Sequence, residues 1–177
     1  GIPGLRRILL EPAKPLLMAE LKPGLGLSPD DLASRFYELA CGGAHLIKDD
    51  EILPDIPLCP TEKRLEACLK AGERARAETG RTTVYAINLT GPVSQLVRKA
   101  RMLKKQGANC FLLNVFAYGY GILEELRETG IPLLAHPALA GAFGNSPSTG
   151  IAYEVLLGSL MRLSGADIVL FPSAYGT

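Results

Sequence analysis

From residue 16 onward, short apolar runs alternate with longer amphipathic stretches, and that alternation is the signature of βα units feeding a parallel sheet. Strands are predicted over 16–22 (LLMAELK), 44–48 (AHLIK), 83–89 (TVYAINL), 109–115 (NCFLLNV), 131–136 (IPLLAH) and 167–171 (DIVLF). They are apolar on both faces, as expected where helices cover one side and a packed interior the other.

Helices are predicted between the strands, and their ends carry chemical punctuation. Ser28-Pro29-Asp30-Asp31 places a capping serine before a first-turn proline, with Gly42-Gly43 as the stop. Thr61 is read as the cap of a second helix ended by Gly80. Further helices are expected from about Pro92 to Gln106, Ile122 to Glu128 and Ile151 to Leu163, with glycine at 107, 130 and 165 following them.

Six such units, with no G-x-G-x-x-G after the first strand, favour the α/β architecture of a (β/α)8 TIM-type barrel over a dinucleotide-binding open sheet. Eight strands close that barrel, so a barrel truncated to about six βα units is expected. Residues 1–177 are then one partial barrel domain of a longer protein, or a barrel completed by another chain.

Composition narrows the function. Nineteen basic against 18 acidic residues leave no field that would gather nucleic acid or an anionic membrane. No apolar run approaches the ~20 residues of a membrane span, and GIPGLRRILLEPAKP lacks a secretory h-region; a cytoplasmic enzyme acting on a small molecule is expected. Cys41, Cys59, Cys68 and Cys110 form no C-x-x-C pair and are read as reduced thiols.

Barrel enzymes place their catalytic groups at the C-terminal ends of strands. Here those ends carry Lys22-Pro23, Lys48-Asp49-Asp50-Glu51, Asn88, Asn114, His136-Pro137 and Pro172-Ser173 with Gly176 beyond. Alternation sends Lys48 and Asp50 to one side, and Glu51 joins them if the chain turns. His45 falls on the opposite side, and Gly119-x-Gly121 is read as a turn. An ammonium beside two carboxylates repels a cation, whereas a lysine that has reacted with CO2 supplies a third anionic oxygen of the hard type that Mg2+ takes. Burial of such a lysine favours the free amine that the reaction needs. The bland alternative for K-D-D-E is a solvated turn with a local ion pair.

The segment GGAHLIKDDEIL resembles the Gly-Gly-x-Asp-x-x-Lys-Asp-Asp-Glu strand of RuBisCO large chains and RuBisCO-like proteins, and LKPGLGLSP resembles their turn after strand one. YAINLTG, LLNVFAYGYG, LLAHPALAGAF and RLSGADIVLFPSAYGT resemble one branch, the 2,3-diketo-5-methylthiopentyl-1-phosphate enolases of methionine salvage.

That resemblance implies Mg2+ held by carbamylated Lys48, Asp50 and Glu51. It implies catalytic roles for Lys48 and Lys22, and substrate contacts from Lys22, Lys48, Asp49, Asp50, Glu51 and His136. The substrate would be a phosphorylated diketone, the assembly a homodimer. The proton-abstracting lysine would belong to an N-terminal α+β domain, and the phosphate site to the last two strands, both outside this chain, so that this chain by itself is expected to be inactive.

Departures from the carboxylases are equally specific. The second lysine of their Lys-Pro-Lys turn is Gly24, their loop-six lysine falls near Thr177, and their strand-five surroundings become Leu134 and Pro137. Carboxylation is therefore not expected, while enolisation survives. The alternatives are a RuBisCO-like isomerase of 5-methylthioribulose 1-phosphate, a Schiff-base aldolase using Lys48 or Lys22, and a non-catalytic truncated barrel scaffold.

Overall fold

A computed structural model of the chain describes residues 1–144, 146 and 148–171. Pro172, Ser173, Gly176 and Thr177, named above, lie outside the described residues. Six parallel strands, β1 (Met18–Glu20), β2 (Leu46–Lys48), β3 (Val84–Asn88), β4 (Cys110–Asn114), β5 (Leu133–His136) and β6 (Ile168–Val169), stand side by side in sequence order. Sequential order with a helical crossover at each step is the wall of a (β/α) barrel, here a curled half-barrel with β1 and β6 as its edges.

All six predicted strands form, in shorter spans than the apolar runs. The helices are α1 (Ile2–Leu9), α2 (Pro29–Cys41), α3 (Thr61–Thr79), α4 (Val93–Lys105), α5 (Val115–Tyr118), α6 (Gly121–Arg127), α7 (Gly141–Gly144) and α8 (Met161–Leu163), the last preceded by a π-helical segment, Glu154–Leu160. Helix α2 begins as its sequence predicts: Ser28 Oγ accepts from the Asp31 amide at 3.2 Å, and Asp31 Oδ2 accepts from the Ser28 amide at 3.0 Å. Its exit runs through Gly43 at φ 101°, a conformation that L side chains resist. At α3 the expected cap moves. Thr61 is already the first helical residue, and the Asp55 carboxylate accepts its amide at 3.0 Å.

Alternation along the strands divides the core in two. Ile47, Tyr85, Ile87, Phe111, Leu113, Leu133 and Ala135 face outward and pack beneath the helices. Leu46, Val84, Ala86, Cys110, Leu112 and Leu134 face the concave interior. Helix α1 lies ahead of the repeating pattern and was not foreseen. It inserts Leu5 and Leu9 into the inner cluster, each burial worth about 1.5–3 kcal/mol. No described helix is long and apolar enough to cross a membrane.

Candidate active site

The same parity that fills the lower interior with apolar side chains brings polar ones to its upper end. Strand pairing aligns Glu20 with Lys48, Asn88 with Leu112, and Asn114 with His136, so inward positions at the C-terminal ends of five strands carry Glu20, Lys48, Asn88, Asn114 and His136. Asp50 and Glu51 follow β2 directly.

Lys48, 7% exposed at its side chain, directs Nζ to Glu20 Oε1 at 2.5 Å, the Asp49 carbonyl at 3.2 Å and Glu51 Oε2 at 3.4 Å. Lys22 stands beyond the end of β1, more exposed, with Nζ 2.5 Å from Asp50 Oδ2 and 3.3 Å from Glu20 Oε1. Glu20, Asp50 and Glu51 each offer an oxygen, and these oxygens lie within 4.8 Å of one another. Burial works against the charge of Asp50, but the Lys22 ammonium and the Ile52 amide together hold its carboxyl below the usual range. The hydrogen bond to Asp50 in turn raises Lys22 above the usual lysine value.

His136 closes the far side. Its Nδ1 accepts from the Ala138 amide at 3.1 Å, which leaves the proton on Nε2, 3.3 Å from Glu51 Oε2. Burial pushes the imidazole below its ordinary value, against the opposing pull of Glu51.

The loop carrying Asp50 and Glu51 is tied from inside. Asn88 Nδ2 donates to the carbonyls of Glu51 and Leu53, both at 3.0 Å, and Asn114 Nδ2 donates to the Glu51 carbonyl at 2.9 Å. Both amide oxygens are buried without a hydrogen-bond partner. Gly24 is required by close approach: a Cβ there would fall 2.3 Å from Asp50 Oδ2. Any side chain at this position would meet the Asp50 carboxylate.

Asp49 does not join the substrate face. Odd parity turns it outward, where it is 0% exposed and accepts from Arg64 Nε at 2.9 Å, Tyr85 Oη at 2.6 Å and the Asn88 amide at 2.9 Å. The Asp49 carboxylate thus faces away from the barrel mouth, to which it is joined through the backbone between Lys48 and Asp50. Its role is to hold the strand end from behind. His45 likewise stays away, accepting from the Leu17 amide at 3.0 Å. Gly119, at φ 87°, forms the turn between α5 and α6.

Glu20, Asn88, Asn114, Arg64 and Tyr85 complete the setting without having been chosen as site residues from sequence. Glu20 carried a usable signal, since it sits two residues before Lys22 on the same strand face. A cleft of about 650 Å3 beside α4, lined by Asp55, Thr90, Gln95, Lys99 and Met102, lies apart from this cluster. Lys99 is already held there by Asp55 at 2.8 Å.

Residues 1–176 match the family described as the ribulose bisphosphate carboxylase large chain, catalytic domain. A 2,3-diketo-5-methylthiopentyl-1-phosphate enolase of Microcystis aeruginosa is 48% identical over 180 residues, covering 100% of this chain and 47% of the relative. The crystal structure of a RuBisCO-like protein (MtnW) from Alicyclobacillus acidocaldarius superposes with a TM-score of 0.94 at 45% identity, covering 100% of this chain and 45% of that one. A RuBisCO-like protein from Rhodopseudomonas palustris gives 0.87 at 37%, with 99% and 49% covered. The chain spans about half the length of the curated relatives it matches. A family match over nearly every residue, joined to a lysine and carboxylate cluster at the mouth of a parallel half-barrel, places this chain in the RuBisCO large-chain catalytic-domain family.

Proposed function

We propose that this chain carries the cation half of the active site of a 2,3-diketo-5-methylthiopentyl-1-phosphate enolase, an isomerase of methionine salvage. The observation that carries the reading is the convergence of Lys22, Lys48, Asp50, Glu51 and His136 at one end of the inner wall, in a chain whose curated relatives bear that enzyme's name.

The donor set suits Mg2+. Carboxylate oxygens within 4.8 Å of one another are the hard ligands it prefers, and the unpartnered Asn88 and Asn114 oxygens leave acceptors for a hydrated ligand. Asp50, Glu51 and Lys48, the last as its carbamate after reaction with CO2, would hold the ion. Bound there, Mg2+ supplies the positive charge that makes a carbon acid next to a carbonyl easier to ionise.

The chain's own residues do the remainder. Lys22, at the rim, is placed to attract the oxygens of an anionic diketone. His136 presents Nε2–H toward the same space and fixes Glu51. Asn88 and Asn114 hold the ligand loop, and the enclosed Asp49 acts only through the backbone between Lys48 and Asp50. The base that removes the proton is expected outside this chain.

A homodimer in the cytoplasm belongs to the same reading, on the precedent of the dimeric RuBisCO of Hyperthermus butylicus, 31% identical to this chain. The test is enol formation from the diketone phosphate, followed by absorbance on the protein as its source makes it, with and without Mg2+ and bicarbonate. Activity that needs both and disappears in Lys48→Ala supports the enolase. Turnover of 5-methylthioribulose 1-phosphate instead would assign the isomerase.

A further inference from the structure

The ammonium and carboxylate groups of the site crowd the ends of β1 and β2. Residues 115–123, which follow β4, and residues 137–153, which follow β5, carry no Lys, Arg, Asp or Glu. Beyond Asn114 and His136 the mouth therefore has an uncharged flank.

The chain leaves β5 through a turn fastened to the site. The Ala138 amide donates to His136 Nδ1 at 3.1 Å, and the Ala140 amide donates back to the Pro137 carbonyl at 2.9 Å. Leu139 holds the third place in that turn at φ 71°, a place that glycine or asparagine fills without strain. Leu10, the other described non-glycine residue with positive φ, has a local reason for it: it ends α1, and its amide closes onto the Arg6 carbonyl. Leu139 ends no helix, and it is 63% exposed. Neither backbone conformation nor burial accounts for a leucine here, and strain of this kind collects where a ligand is held.

Apolar surface continues from it. Phe143, 44% exposed, stands four residues on in α7, with its ring centroid 5.2 Å from that of Phe116. Phe116 follows Asn114 by two residues, and Asn114 is the register partner of His136. Both residues that end the β4–β5 pair thus lead directly into apolar side chains.

We propose that Leu139, backed by Phe143, is a specificity-determining residue that receives the thioether end of the diketone phosphate. The proposed substrate is anionic at one end and apolar at the other. The charged cluster at β1 and β2 suits its oxygens, and the flank beyond His136 suits its methylthio group, which gains from leaving water and from contact with an aromatic ring. A substrate charged at both ends would find no counter-charge on that flank. This rests on the enolase reading and goes further, naming what selects the tail of the substrate.

The experiment compares kcat/KM for 2,3-diketo-5-methylthiopentyl 1-phosphate and for 2,3-diketopentyl 1-phosphate, which lacks only the methylthio group. It uses the protein as its source makes it, with Mg2+ and bicarbonate, and the variants Leu139→Gly, Phe143→Ala and Leu163→Ala, the last an exposed leucine on α8. The wild type should prefer the methylthio compound by about tenfold or more, the usual scale for a small apolar group. Leu139→Gly should cut that preference by about fivefold or more, while its denaturation midpoint stays level or rises because glycine relieves the turn. Phe143→Ala should cut the preference less, and Leu163→Ala should keep it. Lost selectivity without lost stability is what a merely structural leucine would not give. An unchanged preference in Leu139→Gly overturns the proposal, as does a wild type that treats the two compounds alike. Equal losses on both compounds overturn it too, since the turn would then only position His136. No turnover of either compound by the wild type overturns the enolase reading, and this role with it.

Discussion

Arg64 donates through Nε to the Asp49 carboxylate at 2.9 Å, and both side chains are wholly excluded from solvent. Burial raises the Asp49 carboxyl, and the contacts with Arg64, Tyr85 Oη and the Asn88 amide pull it back down, while the Asp49 carboxylate helps Arg64 keep its charge against burial. Helix α3 is thereby bolted to the residue between Lys48 and Asp50.

Breaking one partner strands the other. Arg64→Met should lower stability by about 3–5 kcal/mol, the usual cost of an orphaned buried charge, and Asp49→Asn should cost less because its amide oxygen can still accept from Arg64 Nε and the Asn88 amide while its NH2 donates to Tyr85 Oη. Urea denaturation measures both. A loss below about 1 kcal/mol in Arg64→Met would mean the pair is not the bolt described.

The space at Gly24 is specific to Asp50. Gly24→Ala puts a methyl group 2.3 Å from Asp50 Oδ2 and must displace that carboxylate or the turn that carries it. An overpacking loss of about 1–3 kcal/mol is expected, together with weaker Mn2+ binding. Unaltered affinity in a stable variant would show that the contact relaxes freely.

His136 fixes Glu51 rather than standing alone. His136→Ala should reduce kcat/KM for the proposed reaction, or Mn2+ affinity in its absence, by roughly 10–100-fold, as removal of a ligand's hydrogen-bond partner generally does. His136→Gln, which keeps an N–H donor, should lose less. Equal losses in the two would point to packing instead of the bond to Glu51.

Asp50 gives stability a definite pH dependence. Its carboxyl is held below the ordinary value, so the unfolded chain binds its proton at higher pH than the folded one. The contribution is present above the unfolded value and disappears as pH falls through the folded one. Denaturation midpoints of the ion-free protein from pH 6 down to pH 3 should fall less steeply in Asp50→Asn than in wild type; parallel slopes would contradict this.

The thiols report on the core. Cys59, Cys68 and Cys110 are buried, and burial pushes each thiol upward, which suppresses the reactive thiolate. Cys41 is partly exposed. Ellman's reagent should therefore modify Cys41 in the native protein and the other three only on unfolding, as peptide mapping would reveal.

Local chemistry made the wall of this fold legible: six apolar runs became six parallel strands in order, and Ser28 with Asp31 and Gly43 bounded α2 as the sequence indicated. Strand parity also put Lys48 at the barrel mouth, with Asp50 beside it, because a period of two is fixed by covalent geometry. The same parity points the Asp49 carboxylate away from the mouth, where it is enclosed by Arg64, Tyr85 and the Asn88 amide.

The remainder depended on partners distant in sequence. Arg64 reaches Asp49 from a helix fifteen residues on, Glu20 meets Lys48 across twenty-eight, and Asn114 reaches the Glu51 carbonyl across sixty-three. No periodicity encodes such pairings, since they arise only when helices and strands close around a common interior and each buried polar group must find a partner there. The sequence by itself determined the alternation, the strand order's repeating unit and the identity of the charged groups. Tertiary packing decided which of those charges share the mouth of the barrel and which one serves behind it, because the cost of burying an unpaired charge admits few arrangements.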